Sequence, residues 1–252
     1  MSILGNSKKE SLDSQDLEFY DDAKLQQLYD VEYFKDTYET YKKWYVKAGF
    51  INKTFSPKNF LDVGCAEGWI VSELKKLNVN AYGIDGSLYA LSKVEQSVKE
   101  RVFQVNLNDG KIPFPDGYFD TIFSSHTIEH VHRLDNYLKE VKRVLKEGGK
   151  VWIITPDSPK NETNIRDVNM KTSREWKKMF SNYGFIVKNQ RQYGFMDLRG
   201  RLKMFKLYKL PEPLQTWVKF TIYGIHNKFG KKHRNNSGKE ASFLLVKRKN
   251  TT

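Results

Sequence analysis

The sequence predicts an α/β fold, an open doubly wound sheet of about seven strands with a helical segment in front of it and a basic helical insertion before its last strand. Three observations predict it. Between Phe60 and Gln190, short apolar runs alternate with amphipathic stretches, the rhythm of βαβ units joined by right-handed crossovers. The first apolar run drops into the turn Asp62-Val63-Gly64-Cys65-Ala66-Glu67-Gly68, and a helix-compatible stretch follows from Trp69, as when a strand delivers a nucleotide-type ligand to a helix N-terminus. A final strand-like run over 242–246 resumes the pattern after a long interruption.

Each element has its own signal. Residues 1–14 are polar and read as disordered, and 15–54 form a helical lid segment. Within it, 17–49 reads as one or two amphipathic helices, with Leu25, Leu28, Tyr33, Phe34, Tyr38, Tyr41 and Trp44 at three- and four-residue spacings. The aromatics Tyr33, Phe34, Tyr38 and Trp44 read first as core packing, with a water-excluding lid as the alternative. A core over 55–192 follows the break at Ser56-Pro57. Its strands fall over 60–63, 80–84, 102–105, 119–123, 151–155 and 185–190, and its helices over 69–77, 88–99, 134–145 and 173–183. Gly148-Gly149 is the expected stop of the third of these helices. Residues 193–239 form the insertion, and 240–252 the last strand and tail.

Composition bounds the function. The chain has 252 residues, and its single cysteine, Cys65, rules out a disulfide framework or a cysteine-based zinc site and suits a reducing cytoplasm. No secretory leader is visible, and no apolar run approaches the roughly 20 residues of a membrane-spanning helix. The net charge of +13 is uneven: residues 191–249 hold 15 Lys and Arg against Asp197, Glu212 and Glu240, a balance of +12, so the remainder carries +1. Within the insertion, Leu214, Trp217, Val218, Thr221, Ile222, Ile225 and Phe229 make an apolar stripe, followed by Lys228, Lys231, Lys232, His233 and Arg234. A basic amphipathic stretch over 198–234 suits an anionic membrane surface or a substrate cap; a core-covering element and a nucleic-acid contact are the weaker alternatives.

In such a sheet, ligands sit beyond the carboxyl ends of the strands at the topological switch point. Those ends carry Asp62 and the Gly64–Gly68 turn, then Asp85-Gly86, then Asn106-Leu107, then Ser125-His126 running on to Glu129-His130. Asp85 lies about 20 residues beyond the glycine turn, where an acid can accept ribose hydroxyls. Val71 stands where a dehydrogenase would carry its third glycine.

Five segments in this order resemble the class I S-adenosylmethionine-dependent methyltransferases, in particular the methyltransferase type 11 group. They are the Asp62 to Gly68 turn, Gly83-Ile84-Asp85, Ile112-Pro113-Phe114-Pro115-Asp116-Gly117-Tyr118-Phe119-Asp120, Ile128-Glu129-His130-Val131 and Leu145-Lys146-Glu147-Gly148-Gly149. The resemblance covers about residues 55–190 and the last strand, and it implies a Rossmann-like sheet whose last strand is antiparallel. It further implies that Asp62, Gly64, Cys65, Ala66 and Gly68 hold the methionine end of S-adenosylmethionine. Asp85 and Gly86 then meet the ribose, Asn106 and Leu107 the adenine, and the Ser125-His126 backbone the sulfonium. S-adenosylhomocysteine would be the product, and no divalent metal is expected. Ala66 departs from the middle glycine usual in the family, and Asn106 from an acid; the alternative for Asn106 is ordinary turn chemistry. His126, Glu129 and His130 are the candidates for removing an acceptor proton, and bracing of the loop is the alternative for His130. The expectation is O-methylation of a glycan, a lipid-linked sugar or another small metabolite, in the cytoplasm or at a membrane surface. An RNA methyltransferase and an inactive methyltransferase-like binding protein are the rivals.

Overall fold

The computed structural model describes residues 22–35, 44–157, 166–192 and 239–248. The expected disordered N-terminus and the basic insertion, as far as residue 238, lie outside the described residues, as does Tyr38. Helices α1 (Asp22–Leu28), α2 (Val31–Lys35) and α3 (Trp44–Phe55) precede the sheet. The strands are β1 (Asn59–Val63), β2 (Asn80–Asp85), β3 (Val102–Gln104), β4 (Phe119–Ser125), β5 (Leu145–Asp157), β6 (Phe185–Gln192) and β7 (Lys239–Lys247). Between them run α4 (Trp69–Lys76), α5 (Leu88–Ser92), α6 (Leu134–Val144) and α7 (Ser173–Asn182).

The seven strands lie in the order β3-β2-β1-β4-β5-β7-β6. The first five pair in parallel, and β7 is antiparallel to both β5 and β6. Because successive strand residues point to opposite faces, β1 sends Phe60 to one core and Leu61 and Val63 to the other. One face gathers Leu138, Val141, Trp176, Phe180 and Phe243; the other gathers Ala48, Ile51, Val71, Leu74 and Trp152. Burial on both faces explains why the central strands read as unbroken apolar runs.

Two element expectations are corrected. The single helix over 88–99 is two pieces, α5 and a 3-10 turn Gln96–Arg101. Ser87 caps α5 by accepting from the Ala90 amide at 3.1 Å, and the chain extends at Glu95. The break lets Val94 and Val98 both reach the core while the Glu95 carboxylate accepts from Ser72 Oγ at 2.8 Å. Gly148-Gly149 does not stop a helix but lies inside β5, which begins at Leu145. The pairing jumps from Phe119↔Leu145 to Thr121↔Lys150, an irregularity that Gly148 permits with φ 72°. In the lid segment, Asp30 accepts from the Glu32 and Tyr33 amides at 3.0 and 3.2 Å, so α2 starts afresh after α1 instead of continuing it. Among the described residues no helix is long and apolar enough to cross a membrane.

Candidate active site

The order of strands reverses between β1 and β4, and a cavity of about 500 Å³ opens beyond their carboxyl ends. Of the site residues expected from sequence, Asp62, Gly64, Cys65, Ala66, Asp85, Gly86, Asn106, Leu107, Ser125, His126, Glu129 and His130 line it. Gly68 does not. It heads α4 with φ 72°, and a β-carbon there would meet Val94 and Val102.

The turn after β1 is shaped by its backbone. Gly64 has φ 78°, and a β-carbon on it would fall 2.0 Å from Thr127 Oγ1. That hydroxyl in turn donates to the carbonyls of Val63 and Ser125 at 3.2 and 3.3 Å, tying the ends of β1 and β4 together. Ala66 sits at φ 48°, a left-handed conformation that costs a residue with a β-carbon roughly 1–2 kcal/mol. It is held there because its amide donates to Asp85 Oδ2 at 2.8 Å, while Ser87 N donates to Oδ1 at 2.9 Å. Asp85 is thus part of the turn's scaffold as well as of the cavity wall. Asn106 shows the turn chemistry: Oδ1 accepts from Asn108 N at 3.1 Å, and Nδ2 donates to Asp22 Oδ1 at 3.1 Å.

The two acids set the electrostatics. Asp62 is 4% exposed, and burial pushes its carboxyl up to about 8 against the opposing pull of Lys47. Desolvation also raises Asp85, although the Ser87, Ala66 and Gly86 amides work the other way. Burial, with the charges of Asp85 and Asp62, pushes the Cys65 thiol up as well, so it stays neutral. A cavity floored by two desolvated carboxyls and a left-handed turn fits a ligand bearing positive charge.

The opposite wall belongs to the loop after β4. His126 has φ 54° and is anchored through its amide to the Ile154 carbonyl at 2.9 Å. Its Nδ1 lies 3.2 Å from Glu129 Oε1. Glu129, 1% exposed, accepts from Thr155 Oγ1 at 3.1 Å through its other oxygen. His130 turns elsewhere: Nδ1 is 3.0 Å from the Arg166 carbonyl and 3.1 Å from Asp167 Oδ1. Burial favours its neutral ring, but the Asp167 hydrogen bond, the charge of Glu129, the Arg166 carbonyl and the charge of Asp167 together raise its pKa. Ile128–His130 is a single 3-10 turn. Among the described residues no three His, Cys, Asp or Glu side chains gather as a metal site.

A roof covers both walls. Leu25, Tyr29, Tyr33 and Phe34 line the cavity from α1, α2 and the link between them, and Trp44 from α3. Phe34 is buried and packs edge-on against Tyr33, so core packing and cavity lining coincide there. The roof is pinned by polar contacts: Gln26 Nε2 donates to Gly86 O at 2.9 Å, Leu88 N to Gln26 Oε1 at 2.8 Å, and Ser87 Oγ to Tyr29 O at 2.7 Å. Arg166 Nε donates to Leu28 O at 3.0 Å. Sequence reasoning missed Tyr29, Thr127 and Asp167. Tyr29 lies within reach of the helical spacing that singled out Tyr33, whereas the other two carry no periodic signal.

An open α/β sheet with a glycine turn, two carboxyls and a cavity at its switch point defines a domain that binds a nucleotide-type cofactor. The model of the methyltransferase domain family matches residues 61–153, and over that length of chain the protein is similar to methyltransferases. It is 35% identical over 109 residues to demethylmenaquinone methyltransferase of Geobacillus sp. (strain WCH70), covering 40% of this chain and 47% of that protein. It is 31% identical over 106 residues to ajmaline N-methyltransferase of Rauvolfia serpentina, covering 39% of this chain and 36% of that protein. The match therefore spans less than half the length of either relative. In fold it is similar to phosphoethanolamine N-methyltransferase 2 of Haemonchus contortus, solved with S-adenosyl-L-methionine. The TM-score is 0.58 and the identity 18%, over 89% of this chain and 60% of that one.

Proposed function

We propose that this chain transfers the methyl group of S-adenosylmethionine to a hydroxyl of a glycan, a lipid-linked sugar or another small metabolite. The observation that carries this reading is the relay Thr155–Glu129–His126 at the cavity wall. A buried carboxylate, itself held by a hydroxyl, fixes the Nδ1–H tautomer of a cavity-lining imidazole, and Nε2 is then the nitrogen that takes a proton. A hydroxyl needs that proton removed before or during methyl transfer; a neutral amine does not need it removed first.

When bound, S-adenosylmethionine supplies the methyl group and the thioether leaving group. Asp62 and the turn over residues 64–66 would hold its amino-acid arm, Asp85 the ribose, and Asn106 with Leu107 the adenine. Tyr29, Tyr33, Phe34 and Trp44 exclude water above the donor, and the walls align the acceptor oxygen for in-line displacement. His126 takes the acceptor's proton, and Glu129 steadies the imidazolium that results. Residues 15–54 serve as the lid. Residues 193–239, with 11 Lys and Arg against Asp197 and Glu212, bring the domain to an acceptor at an anionic membrane surface.

The test supplies methyl-labelled S-adenosylmethionine with membrane lipid extract, glycan extract and total RNA in parallel. Label in the lipid or glycan fraction supports the reading. Label in RNA with unlabelled lipid and glycan overturns it in favour of an RNA methyltransferase. Calorimetry showing no S-adenosylhomocysteine binding at millimolar ligand overturns it in favour of a binding protein without catalysis.

A further inference from the structure

Residues 166–169 lie beyond the matched span, between β5 and α7, and they touch both the wall and the roof of the cavity. On the wall side, Asn169 N donates to Glu129 O at 2.9 Å, and the Asn169 side chain donates to Val131 O. His130 Nδ1 lies 3.0 Å from Arg166 O and 3.1 Å from Asp167 Oδ1. Both of these oxygens are acceptors, so Nδ1 carries the hydrogen, and Nε2 is the nitrogen left for a ligand in the cavity that His130 lines. On the roof side, Arg166 Nε donates to Leu28 O at 3.0 Å, and its guanidinium stands 5.0 Å from the centre of the Tyr33 ring.

The roof has another fastening above β2. Gln26 bonds Gly86 O and Leu88 N, and Ser87 Oγ donates to Tyr29 O. That edge stands beside Asp85, whereas the edge at Arg166 stands beside His130, on the far side of β1 and on the wall that carries His126 and Glu129. The two fastenings draw on different residues outside the roof, so one can be released while the other holds. We propose that Arg166 and Asp167 are positioning residues that act as one latch. Asp167 and the Arg166 carbonyl set the His130 ring, and the Arg166 side chain holds down the roof, so that this edge opens and closes independently of the edge above β2. That the edge at Arg166 serves the acceptor rests on reading the chain as a methyltransferase; the latch itself does not. A methylated product can then leave past Arg166 while S-adenosylhomocysteine stays covered.

The test needs no acceptor. Hydrogen exchange on the full chain and calorimetry with S-adenosylhomocysteine compare the wild type with Arg166→Met, Asn169→Ala, Asp167→Ala, Asp167→Asn and Gln26→Met. Arg166→Met should speed exchange over α1 and α2 by about ten-fold and leave β1 unchanged, with S-adenosylhomocysteine affinity within about two-fold of wild type. Asn169→Ala, whose lost side chain bonds the wall, should speed the same two helices. So should Asp167→Ala, and Asp167→Asn, which keeps an acceptor for Nδ1, should return them close to the wild-type rate. Gln26→Met should instead weaken S-adenosylhomocysteine by about five-fold or more. Unchanged exchange over α1 and α2 in Arg166→Met, or faster exchange throughout the sheet, overturns the latch. Asp167→Asn exchanging as fast as Asp167→Ala overturns the role given to Asp167. An affinity that falls as far in Arg166→Met as in Gln26→Met overturns the independence of the two edges. A wild type that binds no S-adenosylhomocysteine at millimolar ligand overturns the proposed function and the acceptor's use of this edge, while the exchange rates still decide the latch.

Discussion

The two walls of the cavity are built on opposite plans. On the wall proposed to hold the donor, the backbone does most of the work: Gly64 and Ala66 hold left-handed conformations, and Asp85 pins the turn through the Ala66 amide. All of that wall's turn lies in one contiguous stretch of chain. On the wall proposed to face the acceptor and on the roof, side chains do the work, and they come from far apart: Tyr29 and Tyr33 from α1, α2 and their link, His126, Glu129 and His130 after β4, Thr155 near the end of β5, and Asp167 beyond it. A backbone site constrains the ligand that every such turn accepts. A side-chain site can change its acceptor without disturbing the donor, which accords with this chain being similar both to an N-methyltransferase and to a demethylmenaquinone methyltransferase.

That contrast predicts separable defects. The largest is expected on the acceptor wall. His126→Asn keeps a residue that tolerates φ 54° and removes the imidazole, so turnover should fall by about 100-fold or more while S-adenosylhomocysteine affinity stays within about two-fold. Single-turnover methyl transfer beside calorimetry checks this, and a parallel fall in both would erase the distinction between the walls. Next, on the donor wall, Gly64→Ala forces a β-carbon against Thr127 and strains a positive φ. Urea titration should show a loss of about 2–4 kcal/mol, accompanied by weakened cofactor binding.

A smaller effect should appear in pH dependence. Asp62 holds its proton up to about pH 8 in the folded protein, whereas the unfolded chain releases it near the ordinary value of 3.8. Its contribution to stability is therefore full below the ordinary value and is lost as pH rises through about 8. Ligand binding, which uses the ionised form, should tighten over the same rise. Urea titrations and calorimetry from about pH 5 to about pH 9 should show both slopes, and Asp62→Asn should flatten them. The smallest change is Ala66→Gly, which relieves the strain at φ 48° against the greater freedom of an unfolded glycine. Stability should move by about 1 kcal/mol or less, with cofactor affinity unchanged.

The donor wall was legible in the sequence because its geometry restricts residue type: a positive φ beside a close approach calls for Gly64, and a strand-end acid such as Asp85 falls at a fixed distance along the chain. The sheet was legible through the same rhythm of apolar runs, including β7. What could not be read were features decided by tertiary contact. The helix over 88–99 breaks so that Val94 and Val98 share a core with Glu95 turned aside, and no local propensity specifies that. Gly148-Gly149 looked like a helix stop because its role as an irregularity in β5 depends on pairing with β4. Thr127 and Asp167 reach the cavity only because distant elements cross there.

The antiparallel strand β7 has a consequence for the order in which the molecule is made. It is the last of the described strands, yet it lies between β5 and β6. Until residues 239–247 have been synthesised, β5 presents an open edge bearing Val151, Trp152, Ile153 and Ile154, an invitation to pair with another chain. The same strand supplies the Ile154 carbonyl and the Thr155 hydroxyl that anchor His126 and Glu129. The wall that holds His126 and Glu129 is thus covered only once β7 is made, and removal of residues 239–247 would reopen the sheet between β5 and β6.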